Sequence, residues 1–114
     1  MNKIIAYHVF PFDVMVVKNT KYSKISKLLK AKLPEDVHQE IKLFKGKYDA
    51  RTVMFSSGAT CIVFNTFDST VIAHESFHAV SFLLHRLGIK HNKHTEELYA
   101  YLVGYLVNEI NKIE

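Results

Sequence analysis

A chain of 114 residues, 48% hydrophobic and 23% charged, is one domain with enough apolar mass for a single core. Its net charge of +4 is a mild basic excess, and no apolar run approaches the roughly 18 residues of a membrane span. One cysteine excludes an internal disulfide and argues for no oxidising compartment.

In chain order, Lys3 to Val9 and Val14 to Lys18 are β-branched and apolar, and Phe10-Pro11-Phe12-Asp13 between them can turn. His8, Pro11 and Asp13 break the apolar stretch from Ile4 to Val17, and no small-residue cleavage site follows, so it is not read as a signal peptide. A soluble cytoplasmic protein is the expectation. Tyr22 to Lys32 reads as an amphipathic helix with Ser23 as N-cap. Its lysines (Lys21, Lys24, Lys27, Lys30 and Lys32, preceded by Lys18) complement a stripe of Ile25, Leu28, Leu29 and Leu33. They are therefore read as a solvated face, and without interleaved Arg or aromatics nucleic acid is not expected as a partner. Pro34 opens a second helix, with Glu35 and Asp36 in its first turn and Ile41, Leu43 and Phe44 as apolar positions, and Gly46 ends it.

Thr52 to Phe55 and Thr60 to Phe64 read as strands joined by Ser56-Ser57-Gly58-Ala59, a hairpin signal. Cys61, inside the second, is read as a small packed hydrophobe, since no neighbour supplies the base a nucleophilic thiol needs. Two long helices close the chain. The first starts at Asp68 or Ser69 and stops at Gly88; Thr95 caps the second, which runs to about Asn111. The short link makes them antiparallel neighbours. Strands and a helix, a hairpin, then two helices define an α+β fold with a mixed or antiparallel sheet.

His74-Glu75-Ser76-Phe77-His78 lies within the first long helix. Residues four apart share a helix face one turn apart, so both imidazoles can reach one cation, at roughly 2.0–2.1 Å for zinc. Glu75 lies about 100° around the axis from His74, beside such an ion without being forced to ligate it. Phe77, Val80, Leu83 and Leu84 occupy other faces, so this helix is expected to be apolar around most of its circumference. His85 shares the histidine stripe but stands about 10 Å further along the axis, too far for the same ion. His91 and His94, in the link, are read as solvated, and His8 and His38 have no motif around them.

After His78, residues 79 to 96 intervene before Glu97, which opens Glu97-Leu98-Tyr99-Ala100. H-E-x-x-H, 18 residues, then Glu-x-aromatic-Ala resembles the gluzincins: zinc aminopeptidases most, thermolysin-like proteases less. In its length the chain is similar to minimal single-domain gluzincins and to small H-E-x-x-H proteins of bacteria and phages. The resemblance covers Thr70 to Tyr105. It implies a zincin-like domain with zinc held by His74, His78 and Glu97, Glu75 as catalytic carboxylate, and Thr60 to Phe64 as the edge strand above the site. Glu96 is the rival for the third ligand. Tyr101 stands where thermolysin-like enzymes have an Asp, and leads Tyr99 and Tyr105 as a donor to a developing oxyanion. Tyr101, Gly104 and Asn108 are expected on the side of Glu97 that faces the first long helix, with Gly104 allowing close approach.

The function this implies is zinc-dependent hydrolysis of peptide or protein substrates, by an endopeptidase rather than an exopeptidase because no exopeptidase anchor is recognisable. The alternatives are a zinc-bound regulatory module that contacts a partner, and a zinc hydrolase of non-peptide amides or esters.

Overall fold

The computed structural model describes residues 3–9, 12–18 and 21–113, with side chains from residue 14 onward. Four strands, β1 (Lys3–Val9), β2 (Phe12–Lys18), β3 (Ala50–Met54) and β4 (Thr60–Phe64), form one sheet in the order β1-β2-β4-β3. β1 and β2 are antiparallel, β2 and β4 parallel, β4 and β3 antiparallel. β2 begins two residues before the expected Val14, taking Asp13 into register with His8. The centre of the expected turn, Phe10-Pro11, lies outside the described residues.

Period-2 alternation divides the sheet between two packed layers. Val14, Val16, Ile62 and Phe64 face helices α2 (Ser69–Arg86) and α3 (Glu96–Asn111), where Ile72, Val80, Leu83, Leu84, Leu102, Leu106 and Ile110 complete one apolar cluster. Met15, Val17, Cys61 and Val63 face α1 (Tyr22–Lys32) and the following 3₁₀ helix (Glu35–Phe44), against Ile25, Leu29, Val37, Ile41, Phe44 and Phe55. All five residues of β4 are buried, as expected for a strand covered on both faces. The fold is α+β with a mixed sheet. Among the described residues, no helix is long and apolar enough to cross a membrane.

Several local expectations need correction. Lys21, not Ser23, is the N-cap of α1, with no side-chain cap bond. The segment after Pro34 is a 3₁₀ helix in which Val37, Ile41 and Phe44 point inward while Leu43 is half exposed. Its last carbonyls are satisfied from outside: Arg51 Nη1 donates to Leu43 O and Lys45 O, and Tyr48 Oη donates to Phe44 O at 2.6 Å. Burial of Tyr48 is the main cause that pushes its phenol up from the usual tyrosine range. Between β3 and β4, Gly58 takes a φ of 98° that a side chain would resist, closing the turn through Gly58 N–H to Phe55 O and Phe55 N–H to Ala59 O.

Candidate functional site

Both ends of α2 are fixed by short-range chemistry. Asp68 Oδ1 accepts from Val71 N–H at 2.9 Å, an N-cap typically worth about 1 kcal/mol. At the other end Gly88 has φ 79°, its N–H donates to His85 O, and Ile89 N–H donates to Leu84 O. That paired geometry satisfies carbonyls the helix would otherwise leave open. The helix therefore has little freedom to rotate, and the direction of each side chain follows from its position.

Ile72, Glu75, Ser76, Ala79, Val80, Leu83 and Leu84 form the buried side of α2. The opposite arc, with His74, His78, Ser81 and His85 within about 60° of one another, is open. The helix is thus not buried around most of its circumference; Phe77, read as an apolar packing residue, is 42% exposed. The reason is that the sheet and α3 contact it from one side, leaving the histidine stripe to solvent.

On that open arc the two imidazoles converge. His74 Nε2 and His78 Nε2 are 3.1 Å apart, with ring centroids at 4.7 Å. Two nitrogens bound tetrahedrally to one zinc would stand about 3.3–3.4 Å apart, so the pair fits two positions of such an ion with little adjustment. His78 also stacks on Phe82 at 6.3 Å, which limits its ring's freedom.

Glu75 points from the same turn toward the sheet and is 7% exposed. Its Oε1 accepts from Thr52 Oγ1 of β3 at 2.7 Å, and its Oε2 is 3.7 Å from His74 Nε2. One oxygen is thus held by the sheet while the other faces the imidazoles. A cleft of about 340 Å³ opens here, lined by Asp49, Ala50, Thr70, Val71, His74 and Glu75.

The strand beside this cleft is β3. β4 is paired on both sides, by β2 and β3, and cannot be the edge strand that the resemblance implied; β3 is. Thr52 and Asp49 are the site residues the sequence did not single out. The available signal was indirect: a helix carboxylate facing the core demands a donor, and β3 carries a hydroxyl that can supply one.

α3 begins after Thr95, but Thr95 does not cap it with its side chain. Its hydroxyl turns back to the carbonyl of Lys90 and accepts from Asn92 N–H, while Asn92 Oδ1 takes the N–H groups of His94 and Thr95. Tyr99, Leu102, Leu106 and Ile110 are its buried stripe. Glu97, Tyr101 and Asn108 lie on the opposite, exposed side, away from the buried stripe, and Tyr101 is 72% exposed. A Cβ at Gly104 would meet nothing within 4 Å, so this glycine serves no close helix crossing. Among the described residues, no group of three His, Cys, Asp or Glu stands together as a ready metal site. The structure brings His74 and His78 together with Glu75 beside them, and leaves Glu97 apart.

Glu96 instead borders a hollow of about 460 Å³ between the two helices, with Phe77, His91, Tyr99, Ala100, Val103 and Gly104. His91 is less free than its loop position suggests: its ring lies 4.5 Å from Tyr99 and 6.0 Å from Phe77. His38 is structural, its Nε2 2.9 Å from Leu33 O, and His85 and His94 are exposed. Cys61 is fully buried, and burial pushes its thiol far up, which suits packing and not nucleophilic chemistry. No protein family, curated protein or solved structure matches this chain.

Proposed function

We propose that this protein is a zinc-dependent metallopeptidase of the gluzincin kind, hydrolysing peptide bonds in an extended substrate. The observation that carries the reading is the 3.1 Å convergence of His74 Nε2 and His78 Nε2 with the Glu75 carboxylate 3.7 Å from His74. His74 and His78 supply two ligands, supported by spacing and geometry together. Glu97 supplies the third, supported by the 18-residue spacing alone, and its engagement requires the first turn of α3 to move toward the pair.

Bound zinc would supply Lewis acidity, polarising the scissile carbonyl and making an attacking water more acidic. Glu75 takes a proton at Oε2 from that water and delivers it to the departing amine, while Oε1 stays with Thr52. The unpaired edge of β3 would hold the substrate by adding it as a strand, across the cleft lined by Ala50 and His74. A lone buried cysteine suits a cytoplasmic setting, which we assign to the protein. A module that binds zinc and a partner without hydrolysis is the second reading; it draws on the 66% exposure of the His74 side chain.

Turnover of a mixed peptide library, with and without a chelator, tests the proposal. Chelator-sensitive cleavage is expected, and an inert wild-type chain would favour the second reading. The ligand set is tested separately by zinc content. Glu97→Ala is expected to lose most of the bound zinc, and Glu96→Ala to keep it. The reverse result would transfer the role to Glu96.

A further inference from the structure

We infer that Thr52 is the positioning residue for the carboxylate of Glu75, so that strand β3 sets the placement of the proposed general base. The inference deepens the peptidase reading and rests on it. The Thr52 hydroxyl carries one proton. Its oxygen lies 2.7 Å from Glu75 Oε1 and 3.4 Å from the Glu75 backbone carbonyl, so the proton goes to the carboxylate.

The consequence is directional. The terminal torsion of a glutamate is broad and roughly two-fold, so a free carboxylate samples many rotations. A bond to Oε1 from a separate element, 23 residues away in sequence, removes that freedom and leaves Oε2 on the imidazole side. Glu75 is 7% exposed, and water can do little to replace the bond. Misplacement of a reacting group by about 1 Å can cost on the order of 100-fold in rate.

Three substitutions, Thr52→Val, Thr52→Ala and Thr52→Ser, test this in the full chain, alone and combined with Glu75→Gln. Thr52→Val keeps the shape and removes the proton; it is expected to lower kcat about 10–100-fold, with KM and zinc content unchanged. Thr52→Ala serves the same purpose should the valine variant fold poorly, and Thr52→Ser is expected to restore the rate to within about 3-fold of wild type. In the Glu75→Gln background, Thr52→Val is expected to change the residual rate by less than about 2-fold, because a residue acting through the base has nothing left to position. Thermal midpoints of the same proteins give a readout independent of turnover.

A full-size drop in the Glu75→Gln background, or no drop in kcat for Thr52→Val, would overturn the inference. Coupled midpoints with independent rates would overturn it too, reducing Thr52 to a clasp between β3 and α2 while leaving the peptidase reading intact. A wild-type chain that turns over nothing removes the peptidase reading and this role together.

Discussion

Glu75→Gln is expected to abolish nearly all peptide hydrolysis, by a factor approaching 10⁴, with zinc and fold retained. Glutamine keeps the length of the side chain, and its carbonyl oxygen can still accept from Thr52 Oγ1 as Glu75 Oε1 does at 2.7 Å. What is lost is the second oxygen, the one 3.7 Å from His74 Nε2, where an amide NH₂ cannot take up a proton. Asp49 also lines the cleft, but its Oδ1 accepts from Thr66 Oγ1, whereas Glu75 is the carboxylate set 3.7 Å from the imidazole of His74. The fold should not suffer, because a neutral amide at a 7% exposed position costs less to bury than a carboxylate. Rates on a peptide library, with zinc content and thermal midpoint measured for both proteins, check each part. A variant that cleaves at a comparable rate would remove Glu75 from the mechanism.

In stability, the largest single loss is expected at Phe64, where Phe64→Ala should cost about 3–5 kcal/mol. Phe64 is 2% exposed at the end of central strand β4, packs in the cluster shared with α2 and α3, and meets Phe67 edge-on at 5.2 Å. Lys18 Nζ lies 3.8 Å over the far partner of that pair, so the cavity would open beneath a cation–π contact as well. Against a typical domain stability of about 5–15 kcal/mol, that loss leaves little margin. The same substitution at Phe77, 42% exposed beside the hollow between α2 and α3, should cost about 1 kcal/mol or less. Denaturant unfolding of the two variants makes the comparison. Equal losses would mean that Phe77 is packed as fully as Phe64, against its 42% exposure.

Where local chemistry decides, the sequence was legible. Asp68 and Gly88 bracket α2 because a carboxylate caps its first turn and a positive φ ends it. The Ser56-Ser57-Gly58-Ala59 hairpin, the packing of Cys61 as a small hydrophobe and the shared face of His74 and His78 follow from equally short-range rules. Long-range choices were not legible. The parallel pairing of β2 with β4, 46 residues apart at Val14 and Thr60, puts β3 at the edge, and nothing in either strand's own residues announces it. The facing of α2 and α3 was equally hidden. With Val71, Phe77 and Phe82 outside the buried side of α2, and Tyr101 and Tyr105 exposed on α3, apolar residues surround both helices and periodicity cannot select one face. For that reason Glu97 was expected to face α2 and instead lies on the outer side of α3.

Zinc analysis of the purified chain tests whether His74 and His78 are two arms of one zinc site. Wild type is compared with His74→Ala, His78→Ala and the double variant. Both rings lie on the open arc of α2, outside the two apolar clusters, so all four proteins should fold. Close to one zinc per wild-type chain is expected, with most of it lost from each variant, since the 3.1 Å pair cannot chelate with one member missing. Zinc retained in full by His74→Ala and His78→Ala, or never bound by the wild-type chain, would contradict a shared zinc site.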